Sequence, residues 1–313
     1  MAGTAARALR RIAPWALTAA IFALLLAHVP VGGVIAALRG ARWGWYLLLV
    51  LPYATAYFLI DTLAVTTVVR RFHTPVRYRD VLPVRAVTYL LALVNSNVGN
   101  GGLALWLHRR EGIPFLAMAG SVLFLAFVEV YQLVLYSSLG VLAAGTSVPG
   151  LRDAYLALYA LLAGWLAYFN GLRALGVARP APGLLETFGR ARLIDYLVIL
   201  GIKSASLLMA IVVQHVGLHL FGMDVPLLVL LANLPLVFLV SAVPLTVAKL
   251  GTSQAAWILL LGAYAPAAGL LAYSLAAHAL FLATNALIGL VFLPRAGREV
   301  WALAAEGRRR QAA

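Results

Sequence analysis

Cysteine is absent from the 313 residues, lysine occurs only twice, and acidic side chains number 10 against 24 basic ones. Without cysteine there are no disulfides and no thiol chemistry. Charged residues make up 11% of the chain, and its non-apolar stretches are no longer than about 20 residues. That leaves no room for a soluble catalytic domain. No nucleotide-binding motif and no His/Asp/Glu grouping with metal-ligand spacing occurs. The reading is therefore of a non-enzyme, most simply a transporter, with no catalytic residues, no metal and no cofactor; an enzyme acting on lipid phosphate is the weaker alternative. What is abundant is hydrocarbon. Hydrophobic residues reach 64%, and the mean hydropathy is +0.96, well beyond the roughly 50% apolar content of soluble domains. The net charge of +14 comes from arginines in short loops and tails beside apolar segments. Anionic lipid is a nearer partner for them than nucleic acid.

Spanning helices are predicted over 14–37, 43–69, 113–143, 154–172, 193–220 and 267–293, with the first read as a retained helix rather than a signal peptide. Residues 84–108 and 227–262 are apolar but interrupted. Nineteen arginines fall in the N-terminal tail, the 70–110 segment, the 173–192 loop and the C-terminal tail, against three elsewhere: Arg39, Arg42 and Arg152. The bias places both termini in the cytoplasm of a multi-pass protein of the inner (cytoplasmic) membrane. Arg85 and Arg109 flank the first interrupted segment, so the same count makes it a re-entrant hairpin rather than a span. Residues 227–262 then form its counterpart from the other face. Eight plain spans are the competing topology.

Pro83, Gly99 and Pro114 recur 152 positions later as Pro235, Gly251 and Pro266. The expected fold is all-α: two inverted-topology repeats, 1–148 and 149–294, with six full spans, two re-entrant helical hairpins and a basic cytoplasmic tail at 295–313.

Candidate functional residues are the polar ones inside apolar segments. Three asparagines and three glycines crowd Asn95 to Gly102, which suggests a turn lining a cavity, with close helix packing as the alternative. Asn95, Asn97, Asn100 and Gly101 are its candidate headgroup-binding residues. The corresponding stretch of the second hairpin offers Lys249, Thr252, Ser253 and Gln254. Lys249 is also compatible with snorkelling to the interface. Lys203 and Lys249 both lie in apolar segments although the chain holds 22 arginines, a pattern that suits an anion site. Asp61 and Glu129 are the embedded acids, candidates for charge balance or coupling, and Glu129–Lys203 and Asp61 with either lysine are plausible pairs. Purely structural pairing remains open. Arg109 and Arg110 are candidate cytoplasmic phosphate contacts or simple topology determinants.

The two interrupted segments, Asn95–Gly102 followed by Leu103 to Gly112, and Val243-Pro244-Leu245-Thr246 followed by Gly251 and a short polar group, resemble the flippase-like transmembrane domain of lysylphosphatidylglycerol synthases and its standalone relatives. Gln254 stands where that family often has a glutamate. The resemblance implies lipid handling: a lipid translocator, flippase or scramblase-like, moving an anionic phospholipid, glycolipid or polyprenyl-phosphate-linked lipid. An ion-coupled transporter of a small soluble anion uses the same scaffold. Expected partners are membrane lipids with anionic headgroups; homo-oligomerisation and pairing with a lipid-synthesis enzyme stay open.

Overall fold

The computed structural model describes the backbone of residues 2–94, 96–144, 150–174, 183–242, 246 and 250–312. Within these, side chains are described except at 2–14, 92–98, 100, 170, 172–174 and 297–312. The described chain is all-α. In order it forms α1 (Ala2–His28), α2 (Val31–Gly40), α3 (Trp43–Phe72), α4 (Tyr78–Val94), α5 (Ser96–Glu111) and α6 (Phe115–Ala144). Then follow α7 (Leu151–Ala174), α8 (Glu186–Arg190), α9 (Leu193–Leu220), α10 (Leu227–Ala242), α11 (Thr252–Leu261) and α12 (Ala267–Ala312).

Among the described residues four helices are long and apolar enough to cross a bilayer: α3, α6, α9 and Ala267–Ala296 of α12. Their outward faces carry bare hydrocarbon. Leu142 is 78% exposed, Val291 74%, and many other leucines are in the same state, an arrangement that water does not tolerate over large contiguous areas. The chain is therefore built as a multi-pass membrane protein. The helix expected over 14–37 is two helices. The chain bends by 88° between Trp15–His28 and Val31–Gly40, because Pro30 lacks an amide hydrogen and forces the residue before it out of helical geometry. Counting the bent pair as one crossing gives five. Helix α7 forms where a span was expected but is not among the helices apolar enough to count as one. Helix α12 runs on through the basic 295–313 segment as far as Ala312.

The 84–108 segment doubles back. Helices α4 and α5 pack side by side. Arg110 Nη2 near the end of α5 lies 3.4 Å from Asp80 Oδ2 near the start of α4. A Cβ on Gly102 would come within 3.1 Å of Leu91 and 3.8 Å of Thr88. A continuous helix would separate residues 80 and 110 by about 45 Å, so a single crossing is excluded. The turn is tighter than the sequence suggests. Ser96 to Gly102 is already helical, and the reversal falls between the end of α4 at Val94 and the start of α5 at Ser96. The small residues let α5 approach α4 closely, so packing against α4, rather than an open turn, explains Gly102. Helices α10 and α11 pack together likewise.

The helices assemble into two compact units, Met1–Tyr53 with Leu133–Ser147 and Met209–Leu282, and Ala54–Gln132 with Val148–Leu208 and Ala283–Ala313. Neither unit is a chain half. Advancing Ala54–Gln132 by 152 positions gives 206–284, close to Met209–Leu282 of the other unit. The same contacts recur inside each. In the first unit Tyr46, Phe221 and Tyr273 pack edge-on, with Tyr46–Phe221 and Phe221–Tyr273 centroids 5.1 Å apart. In the second, Phe72–Phe124 and Phe124–Tyr196 centroids lie 5.7 and 4.8 Å apart. Tyr46 and Tyr196 are 150 positions apart; Phe72 and Phe221, like Phe124 and Tyr273, are 149 apart. Helices α3 and α9 end alike: Thr74 N–H donates to the Val69 carbonyl and Met223 N–H to that of Leu218. Pro114 and Pro266 each accept the first helical bond, of α6 and α12, while Pro83 and Pro235 lie within α4 and α10.

Because the chain has no cysteine, the hairpin is directly testable. Single Arg79→Cys and Arg109→Cys variants react with a membrane-impermeant maleimide from the same face of sealed vesicles. Labelling from opposite faces would contradict the hairpin.

Candidate functional site

Four ionised side chains converge inside the second unit. Asp61 comes from the middle of α3, a helix otherwise apolar at that level. Arg85 comes from α4, Glu129 from α6 and Lys203 from α9. Arg85 Nε donates to Asp61 Oδ2 at 2.7 Å, and Tyr89 Oη donates to the same oxygen at 2.9 Å. Arg85 and Tyr89 share a face of α4, one turn apart, with the guanidinium 5.0 Å from the Tyr89 ring centroid. Lys203 Nζ donates to Glu129 Oε2 at 2.7 Å and lies 3.9 Å from Asp61 Oδ1. Two positive and two negative charges compensate one another.

The network is graded in exposure. The side chains of Asp61, Lys203 and Arg85 are 10%, 9% and 13% exposed, whereas Glu129 is 44% exposed. Buried charges in an apolar bundle are held only by their partners, so the Asp61 end is structural in character. At the other end, the Glu129 carboxylate on Lys203 is the most exposed of the four. One turn beyond Glu129, the Gln132 side chain is buried and its Nε2 has no partner among the described residues. It is an unspent donor on that part of α6. A second polar array closes the end of α3. His73 Nε2 lies 2.7 Å from Ser121 Oγ, which is 2.8 Å from Thr187 Oγ1, and Arg71 pairs with Asp195. Burial lowers the His73 imidazole below the ordinary histidine value. Ser121 and Thr187 are fully buried, so this array ties α3, α6 and α8 together and offers no surface to a substrate.

Both pairings anticipated for Lys203 occur, with Glu129 and Asp61. Arg85, counted from sequence as a cytoplasmic flank, is instead the principal partner of Asp61. Tyr89 was not anticipated at all. The signal for both was available: an embedded aspartate needs a partner, and Arg85 and Tyr89 stand four apart in an apolar run. Arg110 is already engaged by Asp80 and Glu111 and stacked over Trp106; Arg109 is exposed. In the first unit, Gly251 has φ +88°, and its N–H donates to Gln254 Oε1 at 2.7 Å. Thr252 Oγ1 lies 3.1 Å from Thr246 Oγ1. Thr252, Ser253 and Gln254 thus form the first turn of α11. Gly101 is half-buried in α5. Asn95 and Lys249, and the side chains of Asn97 and Asn100, lie outside the described residues.

The repeat offset links the charged contact to an uncharged one. Tyr53 is 150 positions before Lys203 and Phe281 is 152 after Glu129. In the first unit Tyr53 and Phe281 pack with ring centroids 5.9 Å apart. One contact site is ionic, its equivalent aromatic. Among the described residues no group of three or more His, Asp or Glu side chains is placed to hold a metal ion. No protein-family model matches the chain, and no curated protein matches it in sequence.

Unfolding in detergent separates the two ends of the network. Asp61→Asn leaves Arg85 and Lys203 under-compensated and costs about 3 kcal/mol. Glu129→Gln, at the half-exposed end, costs less than about 1 kcal/mol. Equal losses would contradict the graded reading.

Proposed function

We propose that the protein is a lipid translocator, moving an anionic phospholipid, glycolipid or polyprenyl-phosphate-linked lipid across the cytoplasmic membrane. The observation that carries this reading is the neutral, buried network ending in a half-exposed Glu129–Lys203 pair. An anionic headgroup can take the place of Glu129 on Lys203, so the ammonium is never left bare. Gln132 supplies a further donor to a phosphate oxygen. The lipid tails stay in hydrocarbon throughout. After release, Glu129 returns to Lys203 and the network is neutral again. Moving an uncompensated charge would cost or yield about 2.3 kcal/mol per 100 mV of membrane potential; carriage as an exchanged anion couples transport to that potential.

In this proposal the two halves of the chain are inverted repeats, the hairpins α4–α5 and α10–α11 enter the bilayer from opposite faces, and both termini are cytoplasmic. The recurring contacts and the exchange of segments between units support such a duplication. The likeness of both hairpins to the flippase-like domain of lysylphosphatidylglycerol synthases supports lipid as cargo. The alternative cargo is a small soluble anion.

Liposomes carrying the purified chain distinguish the cargoes. A fluorescent phosphatidylglycerol redistributes between leaflets faster than in empty vesicles. Per folded molecule, Lys203→Met slows it at least about tenfold, equivalent to about 1.4 kcal/mol in the rate-limiting barrier. Uptake of a soluble organic phosphate without lipid redistribution would move the assignment to the alternative.

A further inference from the structure

Helices α3, α4 and α12 enclose a slot in the second unit that the charged network does not use. Its volume is about 340 Å³, and its walls include Phe58, Leu59, Leu82, Leu287, Val291 and Phe292. It opens past Leu287 and Val291, two of the most exposed apolar side chains of α12. The Phe58 ring packs on Tyr89 at 5.6 Å and on Phe292 at 6.4 Å. Phe58 thereby separates the slot from the Asp61–Tyr89 hydrogen bond behind it.

One end of the slot is basic. Tyr78 Oη donates to the Leu59 carbonyl at 3.0 Å, fixing the start of α4 beside this level of α3. Helices α4 and α12 run in opposite directions here. A Cβ on Gly289 would abut Leu90 and the Ala86 carbonyl, whereas Val291 and Phe292 share the slot with the earlier Leu82. Following α12 forward and α4 backward leads to Arg295, four residues beyond Val291, and to Arg79, three before Leu82. Those intervals place each arginine over the slot's end on its own helix face. Both are exposed, and neither has an ion-pair partner among the described residues. An apolar slot open to hydrocarbon and flanked at one end by two exposed guanidinium groups matches an amphiphile with an anionic head.

We infer that the slot is a binding site for one acyl chain of an anionic phospholipid whose phosphate is held by Arg79 and Arg295. The site stands apart from the Lys203 network and does not depend on translocation. Its ligand is a resident lipid, selected by charge at the two arginines and by volume in the slot.

The test uses the full chain, purified in detergent, equilibrated with equal amounts of phosphatidylglycerol and phosphatidylcholine and examined by native mass spectrometry. Phosphatidylglycerol is retained several-fold over phosphatidylcholine. The double variant Arg79→Gln/Arg295→Gln loses most of that preference. Val291→Trp fills the slot and lowers retention of both; Leu287→Phe serves the same purpose if the tryptophan variant melts below the parent. Equal retention by the unaltered chain, unchanged preference in the arginine variant, or undiminished retention in the folded slot-filling variant would each overturn the site.

Discussion

A carboxylate in the middle of an apolar helix bundle has to be neutralised where it stands, and Asp61 sets that requirement for the second unit. Its two oxygens are divided between Arg85 and Tyr89 on one side and Lys203 on the other. Satisfying it therefore fixes the register of α3 against α4 and α9. Glu129 on α6 then balances the remaining positive charge. One buried acid thus dictates how four helices meet. Removing Asp61 leaves the buried charges of Arg85 and Lys203 under-compensated in surroundings that cannot solvate them. The graded exposure of the network follows from this. Its core at Asp61 is shielded, while its rim at Glu129 is half-exposed.

The aromatic triads supply the apolar counterpart of that constraint, and they do so twice. Tyr46, Phe221 and Tyr273 in one unit and Tyr196, Phe72 and Phe124 in the other join equivalent helices through residues 149 or 150 positions apart. The two units differ at a position related by a similar offset. Where the second unit pairs Lys203 with Glu129, the first packs Tyr53 on Phe281. An aromatic contact holds two helices together but cannot receive an anion. The chemistry proposed for this chain accordingly belongs to one of the two equivalent positions, and the other retains packing alone.

Much of this was legible from residue types. Isolated charges in apolar runs have few acceptable partners, so Lys203, Glu129 and Asp61 declare one another. Proline at positions 83, 114, 235 and 266 marks equivalent points of equivalent helices because its missing amide constrains where it can stand. Counting Arg85 with its neighbours as a topology marker hid its pairing with Asp61 from within α4. The 14–37 span rests on hydropathy, which does not register the missing backbone donor of Pro30 at the bend. The glycine and asparagine run was expected to form the hairpin's turn. The helices break at the start of that run, and Ser96 to Gly102 already belongs to α5, because small side chains favour a close helix–helix approach as much as they favour a loop, and only the partner helix decides between them.

The scarcity of lysine makes the central claim accessible to one measurement. With ¹⁵N-lysine labelling, the chain gives two side-chain amine signals, and Lys203→Met identifies one of them. If Lys203 exchanges Glu129 for an anionic headgroup, its signal is that of an ammonium in zwitterionic nanodiscs and shifts when phosphatidylglycerol replaces phosphatidylcholine. A Lys203 signal indifferent to the headgroup charge would show that the pair with Glu129 only holds helices together, and the exchange mechanism would fall.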